Sequence, residues 1–394
     1  MTATATAPKA RRGRKTPSGG IALSGEALRR VIRDLDPAVP SRSPKPILQN
    51  ILLANGLAVG TDLELRVEVP LPQATGEPML LPFARLKAIA ATLNSSDEVT
   101  LTIDGSSCVV SAGGGEWRLP VESPAEFPPA PTETGKSIGR LPADQLASLL
   151  NAVRFATDTE SSRYALGAVC VDFDRGAADS EEGTITFIAT DGRRLAAAAA
   201  KIATQDLDNS QTLVPARAVA ALVRLAGSAE AVQMTATGSE FIAVLGDYVE
   251  GQGVTGTTLR ARLTEGRFPR WRDVDVSYTE PKSLAVAGDL LHAIDMASIC
   301  TSESSKGVDL TITPDGLTIS ARAAEAGESR VECSLVEAGQ PVAVKFDPHF
   351  ASQWLACGSF DRAEIVTIEA RDAQSAVVLR CGDCRTVIMP MAAE

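Results

Sequence analysis

The chain has 394 residues, of which 44% are hydrophobic and 22% charged, a balance that excludes a wholly disordered or fibrous polypeptide and predicts two or three folded domains. A formal net charge of -11 excludes a uniformly basic nucleic-acid binder, while leaving room for a basic channel inside an acidic shell. No apolar run reaches the roughly 20 residues that a membrane helix needs, and seven scattered cysteines predict reduced thiols and a cytoplasmic setting.

Residues 1–20 carry Lys9, Arg11, Arg12, Arg14 and Lys15 with no apolar stretch behind them, which predicts a disordered basic tail rather than a secretory signal. Ala27 to Leu35 reads as a helix started by Gly25-Glu26, and Pro46 to Leu53 as the strand that follows. The segment from Leu81 to Ala90 turns from strand to helix, Asp97 to Ile103 is the next strand, and Gly113-Gly114-Gly115 is a hairpin turn. The proline cluster from Ser123 to Pro131 cannot continue a helix or a central strand, so it closes a first unit. The same order then returns. Asp144 to Phe155 predicts a helix, Ala165 to Phe173 a strand, Asp174 to Gly183 an exposed loop, Val214 to Leu222 a strand turning into a helix, and Ala231 to Ala236 a strand. After a boundary at Arg267 to Trp271 and Pro281-Lys282, it comes a third time: helix Asp289 to Cys300, strand Gly307 to Thr313, strand-to-helix Val344 to Ala351, strand Ala363 to Ile368. A repeat this long makes each copy a domain. The fold class predicted is α+β: three similar domains, each with two helices packed on antiparallel sheets, with bounds 21–135, 136–266 and 267–394.

Little in the chain points to catalysis. There are two histidines, His292 and His349, and no Gly-x-Ser-x-Gly element. Cys381-Gly382-Asp383-Cys384 lacks the further ligands that zinc requires and reads as a two-residue hairpin turn. The string Gly113-Gly114-Gly115 lacks the Lys-Ser/Thr of a phosphate loop. Asp191 beside Arg193 and Arg194 reads either as a catalytic carboxylate with anion-binding partners or as an Asp-capped turn, and the turn reading predicts that its replacement costs stability rather than rate. No metal or cofactor is expected.

Ala189-Thr190-Asp191-Gly192-Arg193-Arg194-Leu195-Ala196, Glu265-Gly266-Arg267-Phe268-Pro269 and Ile388-Met389-Pro390-Met391 carry a resemblance. They are similar to Ala-Thr-Asp-Gly-His-Arg-Leu-Ala, Glu-Gly-x-Phe-Pro and Val-Met-Pro-Met of the bacterial sliding clamp family, the DNA polymerase III beta subunit. Gly60 to Glu64, Pro124 to Pro128 and Arg163 to Leu166 add weaker matches, and the resemblance covers nearly all of the chain from Ile21 onward. It implies a crescent-shaped protomer, two copies of which close head to tail into a homodimeric ring around duplex DNA. Such a ring is a replication processivity factor with no chemistry of its own. Its implied partners are DNA of any sequence, the polymerase III catalytic subunit, the clamp loader and other proteins bearing clamp-binding peptides, with no membrane partner. A ring holds by topology, so phosphate contacts can stay weak enough for sliding.

In the family each domain's two helices line the hole, so the resemblance implies a DNA-facing set of Arg29, Arg30, Arg33, Arg85 and Lys87, then Arg154, Arg217 and Arg224. Loops matching the family's DNA-touching turns add Arg42 with Lys45 and Arg163 with Tyr164. Unit three offers chiefly His292 and Lys345, so the positive charge is expected to be uneven. A peptide-binding cleft between the second and third domains is implied for Leu166, Thr190, Gly192, Arg193, Arg194 and Leu195. Pro269, Val274, Phe350, Val387, Ile388, Met389, Pro390 and Met391 would complete it. The ring seam would pair Trp117 and Leu119 with Ile299 and Cys300.

The chain also departs from the family's pattern. Arg193 replaces its histidine, Asp273 stands at its basic position, Ser305 at a common aromatic one, and Ala392-Ala393-Glu394 follows the final motif. These changes spare the cleft floor and alter its rim, so the preferred peptide is expected to differ from the Gln-x-x-Leu-Phe type. Two alternatives stand beside the clamp reading: a clamp-like paralogue with restricted partners, and an enzyme using Asp191 and Arg194 on a nucleic-acid or phosphorylated substrate.

Overall fold

The computed structural model describes residues 20–158, 165–177, 180–204, 207–302 and 306–392. The basic tail, Arg163, Tyr164, Ser305 and Glu394 fall outside these residues. The chain divides into two compact units, Met1–Pro131 and Thr132–Glu394.

One element order occurs three times: strand, helix, four strands, helix, three strands. The helices are α1 (Gly25–Leu35) and α2 (Phe83–Thr92), α3 (Ala143–Asn151) and α4 (Ala216–Ala226), and α5 (Ala287–Ala297) and α6 (Pro348–Leu355). The two members of each pair pack on each other. Their apolar stripes do this: Leu28, Val31, Ile32 and Leu35 of α1 are buried, as are Leu86 and Ile89 of α2. Ser24 caps α1 by accepting the Ala27 N–H at 3.1 Å, and Asp347 caps α6 from the His349 N–H at 3.0 Å, with Pro348 preset for the first turn.

In the first unit, strands Ile21–Ser24, Glu98–Asp104, Ser107–Ala112 and Gly115–Pro120 form one antiparallel sheet in that spatial order. Met79–Pro82, Asn50–Ala54, Leu57–Thr61 and Leu65–Pro70 pair in a second series. Asn55-Gly56, with φ of 52° and 75°, makes the tight hairpin turn that matches strand twist. Pro46 to Gln49 differs from the strand expected there: it is a 3-10 turn, and the strand starts at Asn50. Pro46 fixes the turn's first φ, and the Asn50 side-chain amide donates to the Pro46 and Ile47 carbonyls at 3.4 and 3.2 Å. Ala165–Gly167 is likewise a 3-10 turn ahead of its strand, and α3 stops at Asn151, short of Phe155.

In the second unit, eight strands make one sheet in the order Ser210–Pro215, Ala168–Asp174, Glu182–Thr190, Arg194–Ala203, Cys384–Ile388, Val377–Cys381, Ile365–Glu369, Ser283–Val286. Its middle pairing joins the second copy of the repeat to the end of the third. Strands Gly327–Cys333, Gly316–Ala323, Val308–Thr313 and Val342–Phe346 form a separate four-stranded sheet.

Candidate functional site

The turn between strands Glu182–Thr190 and Arg194–Ala203 is built by its own side chains. One oxygen of Asp191 accepts the N–H groups of Arg193 and Arg194 at 2.9 and 3.0 Å, and the other accepts Arg194 Nε at 2.9 Å. The Thr190 hydroxyl accepts the Gly192 N–H at 3.1 Å and donates to the Arg194 carbonyl at 2.6 Å. Gly192 sits at φ 85° with open space where a Cβ would be. Asp191 is thereby spent on the turn. The first unit repeats the construction at Thr61 to Leu65: Asp62 accepts the Glu64 and Leu65 N–H groups at 3.1 and 2.8 Å, and Thr61 donates to the Leu65 carbonyl at 3.0 Å. There the left-handed position is held by Leu63, at φ 82° and 50% exposed.

Arg194 is buried, and its guanidinium reaches across the unit. It donates to Gln353 of α6 at 2.5 Å and to the Phe155 carbonyl at 2.7 Å, and lies 4.6 Å from the Phe350 ring centre and 5.0 Å from that of Phe155. Burial pulls its pKa below the ordinary value, and Asp191 works against that loss. Close by, Ser148 of α3 and Ser359 beyond α6 exchange hydroxyl-to-carbonyl bonds of 3.2 and 2.7 Å.

The final strand brings the C-terminal motif alongside this turn. Arg194 pairs with Ile388 and Leu195 with Val387, and the Met389 N–H donates to the Arg193 carbonyl at 2.9 Å. Period-two alternation divides the expected cleft residues between two faces. Leu195 and Val387 lie in a core with Cys170, Ile188, Phe268 and Trp271, against which Val274, Val276 and Tyr278 pack. Arg194 and Phe350 meet on the other face, on the side of α6. Thr190 and Gly192 belong to the turn, Leu166 to a 3-10 turn whose carbonyl accepts the Asp158 N–H, and Pro269 stands between the buried Phe268 and Trp271. At the edge, Arg193 is exposed, Met389 is 40% exposed, and Pro390 and Met391 are half-buried.

Residues 268–278 form a strap over the sheet, where the sequence predicts a boundary at Arg267 to Trp271. Trp271 donates its indole N–H to Asp172 at 3.1 Å and is stacked by Arg272 at 4.4 Å, while Arg272 also pairs with Asp172 at 2.7 Å. At its far end Arg385 grips Asp275 through two bonds of 2.7 and 2.5 Å, and Tyr278 donates its hydroxyl to the Ala376 carbonyl at 3.1 Å. Glu369, buried below it, accepts from Lys282 at 2.9 Å, Arg380 at 2.8 Å and the Tyr278 N–H at 3.1 Å. Burial acts to raise this carboxyl, but those three donors outweigh it and hold the pKa below the usual glutamate value. Asp172, Asp275 and Glu369 were not singled out in the sequence. The visible signal for the strap was Phe268 and Trp271 recurring at helical spacing in an otherwise charged stretch.

The basic residues fare differently from one another. Arg29 donates to the Leu93 carbonyl and to Ser95, Arg33 pairs with Asp34 at 2.9 Å, Lys87 pairs with Asp36, and Arg154 donates to Asn151 at 2.8 Å. Arg30, Arg42, Lys45 and Arg85 are exposed and make no ion pair among the described residues. Arg217 and Arg224 are exposed on α4.

Trp117 is half-buried and Leu119 buried on Gly115–Pro120, an outer strand of its sheet. Ile299 is 77% exposed in the 3-10 turn after α5, with Cys300 half-buried beside it. Cys381 and Cys384 face each other across the two-residue hairpin, and burial pushes both thiols up to about 12. Among the described residues no group of three His, Cys, Asp or Glu side chains is placed to hold a metal, and no helix is long and apolar enough to cross a membrane.

Residues 140–270 match the family model described as DNA polymerase III beta subunit, central domain. The chain is 26% identical over 384 residues to the beta sliding clamp of Chlamydia pneumoniae and 25% identical over 385 residues to that of Pseudomonas putida, each alignment covering 94% of this chain and 98% of the relative. A sliding clamp from Pseudomonas aeruginosa, solved bound to griselimycin, superposes with a TM-score of 0.83 at 22% identity over 95% of this chain and all of that one. A Bacillus subtilis sliding clamp superposes with a TM-score of 0.81 at 20% identity over the same shares.

Proposed function

We infer that this chain, which has the sliding-clamp fold and whose central third matches the polymerase III beta family, works as a DNA sliding clamp. Two copies would close head to tail into a ring around duplex DNA, and the ring would tether the polymerase and other replication and repair proteins by their peptides. The three-domain division at 21–135, 136–266 and 267–394 belongs to this reading, as does a cytoplasmic location. No step in it requires a catalytic residue.

One observation carries the docking site. The final strand lies beside the Thr190–Leu195 turn, so Leu195 and Val387 share a core with the strap residue Val274, while Met389 and Arg193 remain exposed at the edge. Methionine suits such a rim because its flexible thioether adapts to varied apolar side chains, and Gly192 leaves room for a second backbone to approach. Leu195 and Val387 are buried here, so an entering peptide side chain must displace a residue packed against their core, such as Val274, to reach them. The Arg194 knot positions this floor from behind.

The exposed rim charges, Arg193 and Asp273, differ from the family's pattern and support a peptide preference of its own. The test is fluorescence anisotropy with a labelled Gln-x-x-Leu-Phe peptide and with variants of altered charge. Replacing Met389 and Met391 together by alanine is expected to weaken capture about tenfold or more, the scale of two lost anchor contacts. Undiminished binding by the double variant would remove the site from this edge.

A further inference from the structure

Within the second unit, the segment Met389–Met391 crosses from one sheet to the other. The Met389 N–H donates to the Arg193 carbonyl at 2.9 Å, at a turn of the eight-stranded sheet. The Met391 N–H donates to the Lys345 carbonyl at 2.7 Å, on Val342–Phe346, an outer strand of the four-stranded sheet. A Cβ at Gly307 would fall 2.8 Å from Lys345 Cε and 3.1 Å from the Met391 sulfur, so glycine is what lets the lysine stem and the thioether lie together there. Along its backbone the methionine edge therefore has Arg193 at one end and Lys345 at the other, with the exposed Lys306 next to Gly307.

The acids around this edge are mostly engaged elsewhere. Asp191 is bonded into the turn, Asp347 caps α6, and Asp273 pairs with Arg270 at 3.4 Å. Asp309 stands opposite Lys345 in the strand register and makes no ion pair among the described residues, so it offsets part of the charge at that end. Glu394 lies outside the described residues. Arg193 is exposed and also makes no ion pair among the described residues. Resting on the docking reading above, we propose that this edge selects acidic peptides, in which carboxylate side chains flank the apolar anchors. Arg193 is the main specificity-determining residue, and Lys345 is the second. A guanidinium and an ammonium that stay in water steer and orient a carboxylate more than they hold it, so the preference is modest and sensitive to salt. Methionines between the two cations favour a peptide over a phosphate backbone, which would leave those apolar groups without a counterpart.

The experiment measures dissociation constants by anisotropy at low ionic strength, using the full-length chain and three labelled peptides. All share the Gln-x-x-Leu-Phe anchors, and their flanking residues are Asp, Ser or Lys. The Asp-flanked peptide is expected to bind about threefold tighter than the Ser-flanked one and the Lys-flanked peptide about threefold weaker, the scale of exposed ion pairs. The Asp-to-Lys ratio is then read within each of Arg193→Glu, Lys345→Glu and the double variant, so that any loss of folded protein cancels. It should shrink in each single variant, more in Arg193→Glu, and reverse in the double variant. Equal affinities for the three peptides, or a preference for Lys, would overturn the acidic selection while leaving the docking site in place. A preference that survives the double charge reversal would overturn its assignment to these two cations. Failure to bind any of the three would overturn the docking reading itself, and this inference with it.

Discussion

At the scale of single residues, the two Thr-Asp turns make a controlled pair. Leu63 and Gly192 occupy the same left-handed position, at φ 82° and 85°, within matching hydrogen bonds. An L-residue other than glycine pays about 1 kcal/mol or more there, because its Cβ crowds the carbonyl. Leu63→Gly is therefore expected to leave thermal stability unchanged or raise it, whereas Gly192→Ala should lower it by about 1 kcal/mol although nothing lies within 4 Å of the new methyl. Calorimetric melting of both variants checks the pair. Asp191→Ala leaves a buried guanidinium without its carboxylate, and the expected loss is about 3 kcal/mol, the cost of breaking a buried ion pair from one side. A full-stability Asp191→Ala protein would mean that Gln353 and the Phe155 carbonyl suffice for Arg194. Glu369 supplies a pH signature. Its folded-state pKa lies below its ordinary value, so the stability it contributes is present above that ordinary value and is lost as pH falls through the depressed one. Acid unfolding of Glu369→Gln should accordingly be shallower than that of the wild type, starting from a lower stability at neutral pH. Parallel acid titrations followed by near-UV circular dichroism would show it.

At the scale of elements, strand and helix order was legible because it rests on local information. The run Ala218, Val219, Leu222, Leu225 marks a helix stripe, and Glu98–Asp104 alternates as a half-buried strand should. The Thr190–Leu195 turn was also legible, since Asp and Gly at that spacing make their own bonds. The Pro46–Gln49 turn was not, because an apolar tetrapeptide fits a strand or a 3-10 turn equally well, and the Asn50 amide decides between them. The strap escaped for a different reason. Its anchors acquire meaning only from partners far along the chain: Asp172 is 99 positions from Trp271, and Arg385 is 110 from Asp275. Nothing local announces an ion pair of that span. The alternation of Arg194 and Leu195 could have warned that the expected cleft residues would not all share one face.

At the scale of the whole molecule, the clamp reading predicts a closed dimer. In that reading Trp117, on an outer strand, and Ile299, 77% exposed and close to the exposed Met296, would anchor it. Small-angle scattering on an absolute scale should give twice the mass of one chain and a hollow profile. Trp117→Ala should shift the population toward monomer at micromolar concentration, as loss of a large aromatic anchor commonly removes 2 kcal/mol or more, roughly thirtyfold in dissociation constant. A compact monomer in the wild type would defeat encirclement.

The pairing of Cys384–Ile388 with Arg194–Ala203 has a consequence for how the protein is made. During synthesis the strand beginning at Arg194 emerges long before its partner, and until residue 388 has left the ribosome it presents an open apolar edge. A nascent or prematurely ended chain lacks the strand that lies beside the Thr190–Leu195 turn. Such fragments would be good substrates for chaperones and proteases, and under the clamp reading they would capture partner peptides poorly.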